Sequence, residues 1–315
     1  MKISNLNIPV TEANRPVREP DFEHGAKLSE KIYCRDPYIL LFDGRYYLYH
    51  RKGNEAICCR VSEDLENWSD SLPVFVPGEG FHGRKDCFWA PECHYYKGKF
   101  YIFTSVWSER TGKRCISVYR ADNPLGPFED IAGGCITPPE WDAIDGTLYV
   151  DEDGRPWMVF VHEWVSMPGG IGSMCAVRLA EDFTQFEGEI KTLFYANEPA
   201  WAKAGVTDGP YLYKTDKGTL YMIWSNFDEK GYVIALVRSK TGKIDGEWEH
   251  VPQPLYARGL RPGYTSAGGH AMIFVTKEGE KKIVFHRPNE TTADDFEHIV
   301  IKDIIEENDV IRIGD

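Results

Sequence analysis

Five stretches of this chain run apolar and aromatic residues up to a tight turn and then resume the same pattern beyond it. They are RDPYILLFDGRYYLYH (35–50), WAPECHYYKGKFYIFTSV (89–106), IDGTLYVDEDGRPWMVFVHEW (144–164), TDGPYLYKTDKGTLYMIWSNF (207–227) and GGHAMIFVTKEGEKKIVFHRPN (268–289). Each opens on polar or small residues and reaches its turn at Asp43-Gly44, Lys97-Gly98, Asp153-Gly154, Lys217-Gly218 or Glu278-Gly279. Glycine supplies the positive φ that short hairpin turns need, so each stretch reads as a β-hairpin. Further apolar runs, AICCRVS, CISVYRA, SMCAVRLA and YVIALVRS, read as third strands, and a fourth follows less distinctly each time. Helical periodicity is sustained nowhere.

Asp36, Ala90, Asp145, Asp208 and His270 mark a repeat of roughly 55–63 residues. That length holds a four-stranded antiparallel sheet, and such sheets repeated about an axis make a propeller. The expected fold is therefore all-β, a five-bladed β-propeller in a single domain over 31–315. The last repeat holds only about 45 residues, so residues 1–30 are expected to pack on the last blade and help close the ring.

Composition narrows the partners. Hydrophobic residues make up 42% of the 315, enough for a large core. Aromatics reach 13%, which suits a β core or a sugar-stacking surface. The net charge of −13 comes with no basic patch, which argues against nucleic acid and anionic membranes and fits a neutral substrate. No signal-peptide run or membrane-span length of apolar residues occurs, so a cytoplasmic location is expected. The eight cysteines form no C-x-x-C pair, so free thiols are expected and structural zinc is disfavoured.

In a propeller the innermost strand of each blade lines the channel. The repeat openings and the ends of the second strands should therefore gather at one mouth. The openings bring Asp36, Trp89 with Glu92, Asp145, Asp208 and His270. The second-strand ends bring His50 with Arg51, Val106 with Trp107, Glu163 with Trp164, Asn226 with Phe227, and His286 with Arg287. A carboxylate before Pro or Gly is often a turn former alone. Crowded at one mouth, however, carboxylates repel and their pKa values separate, as acid–base glycosidase chemistry requires. Trp89, Trp107 and Trp164 are candidate platforms for the apolar face of a sugar, against a bland role as core. His50, His286, Arg287 and Glu92 are candidate substrate contacts, with structural roles open for His50, His286 and Arg287.

The ordered openings R-D-P, W-A-P-E, I-D-G, D-G-P and G-G-H-x-M resemble glycoside hydrolase family 43 from about Arg35 to Asn289. The resemblance implies an inverting hydrolase acting on arabinofuranosides, xylosides or arabinans. It implies Asp36 as general base and Asp145 as the group that orients the acid and tunes its pKa. The family's acid is a Glu in an E-G-P motif, where this chain has Thr207-Asp208-Gly209-Pro210. Asp208 is therefore the first candidate acid, Glu163 the second and Glu92 the third. The resemblance also implies calcium at His270, held through waters, and no organic cofactor. An arabinose- or xylose-containing oligosaccharide is the expected partner. The Asp-for-Glu departure keeps a catalytically impaired carbohydrate-binding propeller open as the alternative.

Overall fold

A computed structural model describes residues 8–52, 55–288 and 297–314. Its strands form five antiparallel sheets, one per repeat. The innermost strands are Tyr38–Phe42, Gly83–Tyr96, Ala143–Val150, Asp208–Lys214 and Gly269–Val275. Each pairs with the strand that follows it in sequence, as a meander of hairpins must. In the first blade Phe42 faces Arg45 across a turn in which Asp43 and Gly44 have φ of 48° and 71°. The right-handed twist of the strands favours such left-handed turns. The expected third strands are present as Ala56–Ser62, Lys113–Ala121, Ser173–Arg178 and Gly231–Ser239, with Glu297–Glu307 in the last blade. The fourth strands are short, down to two residues at Glu129–Asp130, which is why the sequence marks them weakly.

Ring closure uses residues on both sides of the expected boundary. Tyr33 bridges His298, Cys34 donates its N–H to the Glu297 carbonyl at 3.0 Å, and Ile299 donates to Ile32 at 3.1 Å. Residues 32–34 thus line the outer edge of the last blade. Residues 1–7 of the segment expected there lie outside the described residues. Ala26–Lys27 pairs with Asn67–Trp68 of the first blade, while Leu28 lines a groove with Val300 and Ile301 of the last. Arg18 ties the first blade to the second through the carbonyls of Pro73 and Leu125.

The core lies between blades. Phe103, Ile116, Leu148 and Met158 join the second to the third, and Val159, Met174, Leu220 and Trp224 join the third to the fourth. The expectation of eight free thiols is corrected at one pair. The structure joins Cys115 to Cys135 with Cα atoms 5.7 Å apart, because the segment carrying Cys135 runs beside the strand carrying Cys115, with Ile136 donating to Ile116. The other six cysteines are buried. Among the described residues no helix is long and apolar enough to cross a membrane.

One backbone feature recurs in every blade and sets up the site. Asp36, Ala90, Asp145, Gly209 and His270 all lie in the left-handed region, with φ of 53°, 43°, 54°, 51° and 52°. In the last four blades the pairing register shifts across this residue, as it does at a β-bulge. A non-glycine residue there is costly and needs its surroundings to hold it. In the third and fifth blades the bulge residue carries a functional side chain, Asp145 or His270, and in the first blade Asp36 takes the same conformation.

Candidate active site

The bulges bring Asp36, Asp145 and His270 together from the first, third and fifth blades. Nδ1 of His270 lies 3.1 Å from Oδ1 of Asp36 and 3.9 Å from Oδ2 of Asp145. The backbone at four of the five left-handed residues is pinned from the neighbouring blade. The Asp145 N–H donates to Ser105 Oγ at 2.9 Å, and the His270 N–H donates to Ser225 Oγ at 2.8 Å. The Asp36 N–H donates to Nδ1 of His286 at 3.1 Å. In the fourth blade the bulge residue is Gly209, and its N–H donates to Oδ2 of Asp145 at 2.9 Å. Glycine is required there, because a Cβ would stand 2.8 Å from Cγ of the His270 ring.

Asp208 therefore sits one residue before the bulge rather than on it. The shared D-G pattern at 145–146 and 208–209 hides this offset. The structural counterparts of Asp208 are Arg35, Trp89, Ile144 and Gly269, each immediately before a left-handed residue. From this position its carboxyl meets the hydroxyl of Tyr232 at 3.0 Å.

These side chains line a cavity of about 410 Å³, which also takes in Trp89, Glu163 and Trp164. Arg35, Arg51, Arg114 and Phe227 line it too, Arg51 and Phe227 from the second-strand ends expected at the mouth. The arginine of R-D-P was visible at Arg35 as part of a motif. Nothing in the pattern pointed to Arg114.

His50, Glu92, Trp107, His286 and Arg287 lie off this wall. His50 is buried, with Nδ1 donating to the Arg51 carbonyl at 2.8 Å and Nε2 facing Ser71 Oγ at 2.7 Å. Glu92 is buried against Nε2 of His94 at 3.0 Å. Arg287 reaches Ser266 and Thr265. His286 supports Asp36 from behind. The Arg114 guanidinium lies 4.3 Å from the Trp89 ring and 5.8 Å from that of Trp107. Glu163 takes both of its hydrogen bonds from Arg114, at 3.1 and 3.0 Å. Both bonds come from the one Nη1 of Arg114, and this charge-assisted contact holds Arg114 beside Trp89 and occupies the Glu163 oxygens.

Electrostatics separates the three aspartates. Burial opposes ionisation of Asp36, but His270, His286 and Arg35 outweigh it and hold its carboxyl well below the usual range. Burial likewise disfavours charge on His270, yet Asp36 and Asp145 raise it to about 10. Burial pushes His286 down to about 3, which leaves it neutral and suits Nδ1 as an acceptor. Burial raises Asp145 to about 6, with Asp36 and Glu92 adding to it and His270 and the Gly209 N–H opposing. Burial and the Asp145 charge raise Asp208 to about 8, against His270 and Tyr232. At neutral pH the site thus holds an ionised Asp36 and a protonated Asp208. Burial also raises Glu163, with Arg114 opposing.

Calcium fits this donor set poorly. Calcium takes six to eight oxygen ligands, as a general rule of its coordination. Among the described residues no group of three or more His, Cys, Asp or Glu side chains is arranged to hold a metal. A protonated His270 facing carboxylates is an ion-pair partner, so no step below runs through a metal.

A propeller whose mouth sets an ionised carboxylate against a proton-bearing one has the form of a carboxylate-dependent glycosidase. The model for glycosyl hydrolases family 43 matches residues 31–305, and the chain belongs to that family. The structure resembles that of an endo-arabinase from Bacteroides thetaiotaomicron at 34% identity, with a TM-score of 0.80 and coverage of 92% of this chain and 99% of that one. Among curated proteins it is 26% identical over 240 residues to a β-D-galactofuranosidase of Aspergillus niger, covering 72% of this chain and 61% of that protein. It is 25% identical over 173 residues to an extracellular exo-α-(1→5)-L-arabinofuranosidase of Cellvibrio japonicus, covering 50% of this chain and 46% of that protein. The chain thus spans less than two thirds of the length of these two relatives.

Proposed function

We propose that this chain hydrolyses pentose glycosides of plant cell-wall oligo- or polysaccharides, of the α-L-arabinofuranoside or β-xyloside type, with inversion at the anomeric carbon. The observation that carries the reading is the convergence of Asp36, Asp145 and Asp208 from three blades on one cavity with opposed proton affinities. Asp36, held ionised by His270, takes a proton from water as that oxygen bonds to the anomeric carbon. Asp208 gives its proton to the departing glycosidic oxygen as the old bond breaks. Exchange with solvent then returns one proton to Asp208 and removes one from Asp36. Asp145 serves this exchange in two ways. Its charge raises the proton affinity of Asp208, and its Oδ2 fixes the Gly209 N–H beside it. A single displacement needs room for water, and inverting enzymes hold the two carboxyls about 6.5–9.5 Å apart.

The relatives support this substrate class, since their names include an endo-arabinase and an exo-α-(1→5)-L-arabinofuranosidase. Trp89, Trp164 and Phe227 supply aromatic surface at the cavity for a sugar face. The test is a panel of nitrophenyl pentosides, with the first-formed anomer of the product followed by proton NMR. Release of nitrophenol with inversion supports the reading, and retention refutes the single displacement. The alternative of a sugar-binding propeller without turnover is favoured by Asp in place of Glu at 208. Binding of pentose oligosaccharides with no hydrolysis at high enzyme concentration would establish that alternative instead. Calcium at His270 is a separate proposal that rests on the family resemblance alone. With this donor set, EDTA is expected to leave turnover within about twofold, and a larger loss restored by calcium would reinstate the metal.

A further inference from the structure

Asp208 is half-buried, and its carboxyl has a single hydrogen-bond partner among the described residues, the hydroxyl of Tyr232. That partner comes from an unexpected place. Tyr232 stands on the third strand of the fourth blade, Gly231–Ser239, two strands out from the one that carries Asp208. Its ring reaches the channel by lying over Gly269 of the fifth blade. A Cβ on Gly269 would come within 2.2 Å of the Tyr232 ring, so only glycine leaves that path open. The ring is then held on both sides. It stacks on His286 at 5.6 Å and 21°, and it packs against Phe227 at 4.9 Å. Its carbonyl accepts the Gly268 N–H at 3.0 Å, which fixes the backbone as well.

We infer that Tyr232 is a positioning residue for hydrolysis, aiming the Asp208 carboxyl at the cavity by occupying its Oδ2 with the phenol O–H. This inference rests on the assignment of Asp208 as the acid. With Oδ2 accepting from Tyr232, the carboxyl proton resides on Oδ1. Transfer of that proton leaves a carboxylate that the same phenol stabilises. The phenol also lowers the proton affinity of Asp208, which faces Asp145 of the third blade, His270 of the fifth, and Asp36 and Arg35 of the first. Removing the hydroxyl therefore moves the pKa of Asp208 upward.

The experiment compares Tyr232→Phe and Asp208→Asn on two pentosides, a nitrophenyl glycoside with a good leaving group and an unactivated pentobioside. A good leaving group departs with little help from an acid, so a defect in protonation shows on the unactivated substrate. Tyr232→Phe is expected to lose roughly 10–100-fold in kcat/KM on the pentobioside and less than about threefold on the aryl glycoside. The alkaline limb of its pH profile is expected to move to higher pH. Gly269→Ala, which displaces the ring while keeping the hydroxyl, is expected to give the same substrate-dependent loss. A Tyr232→Phe enzyme that loses equally on both substrates, or on neither, overturns the positioning role. If Asp208→Asn itself shows no dependence on the leaving group, the acid assignment fails, and the role of Tyr232 falls with it.

Discussion

The openings of the third and fourth blades look alike in sequence and differ in the folded chain. Both read D-G, at Asp145-Gly146 and Asp208-Gly209. In the third blade the left-handed bulge residue is the aspartate, and in the fourth it is the glycine that follows. The shift of one residue sets Asp145 beside His270, which also meets Asp36, and sets Asp208 against Tyr232. It also changes how the bulges are pinned. The side chain that receives the next bulge N–H comes from one equivalent second-strand position, Ser105, Ser225 or His286. At that position the third blade has Val161, which cannot accept, and the Asp145 carboxylate takes the Gly209 N–H instead. Asp145 thus has a structural bond where Asp208 has a single phenol partner. Two aspartates that would be interchangeable by motif carry different proton affinities, about 6 and about 8.

The largest effect is expected where neither of the pair is touched. Asp36→Asn keeps the shape of the site and removes its ionised base, so kcat should fall by about 10²–10⁴-fold with the fold intact by circular dichroism. Normal turnover by that variant would remove Asp36 from the chemistry. The comparison itself is sharpened by the pH profile of kcat/KM. Below about 6 Asp145 gains a proton and its charge no longer supports the acid. Above about 8 Asp208 loses the proton it must give. A bell with limbs near those values is expected, with the alkaline limb absent in Asp208→Asn. A smaller effect is expected at the bulge. Gly209→Ala places a Cβ against the His270 ring at a φ of 51°, and should cost about 1–3 kcal/mol in denaturant unfolding. Gly146→Ala has no positive φ to strain and meets the movable Ile116 and Met158 side chains, so it should cost less.

The fold was legible because each hairpin carries its own signal. A glycine turn between two apolar runs is local information, and it located all five hairpins, while the apolar runs that follow located the third strands of the first four blades. The fourth strands were faint because they are short, as at Trp248–His250. The site was legible only as far as residue type and spacing could take it. Asp36, Asp145, Asp208 and His270 were found at the openings and do line one cavity. Which residue of each D-G pair takes the bulge is decided by contacts with neighbouring blades, which no motif records. Tyr232 was missed because counting strands outward from the channel excludes it. The signal that could have found it is the Gly268-Gly269 pair, whose lack of side chains makes room for a neighbour. Arg114 was missed because it belongs to a third strand and reaches the cavity by its length, held by Glu163 and stacked on Trp89.

The most direct test of opposed protonation is a carbon-13 NMR titration of the aspartate carboxyls, with Asp36→Asn and Asp208→Asn used to assign the two resonances. At pH 6.5 the Asp208 carboxyl should be protonated and should titrate near 8, while Asp36 stays ionised throughout. An Asp208 carboxyl already ionised at pH 5, or an Asp36 that takes up a proton first, would contradict the division of labour between them.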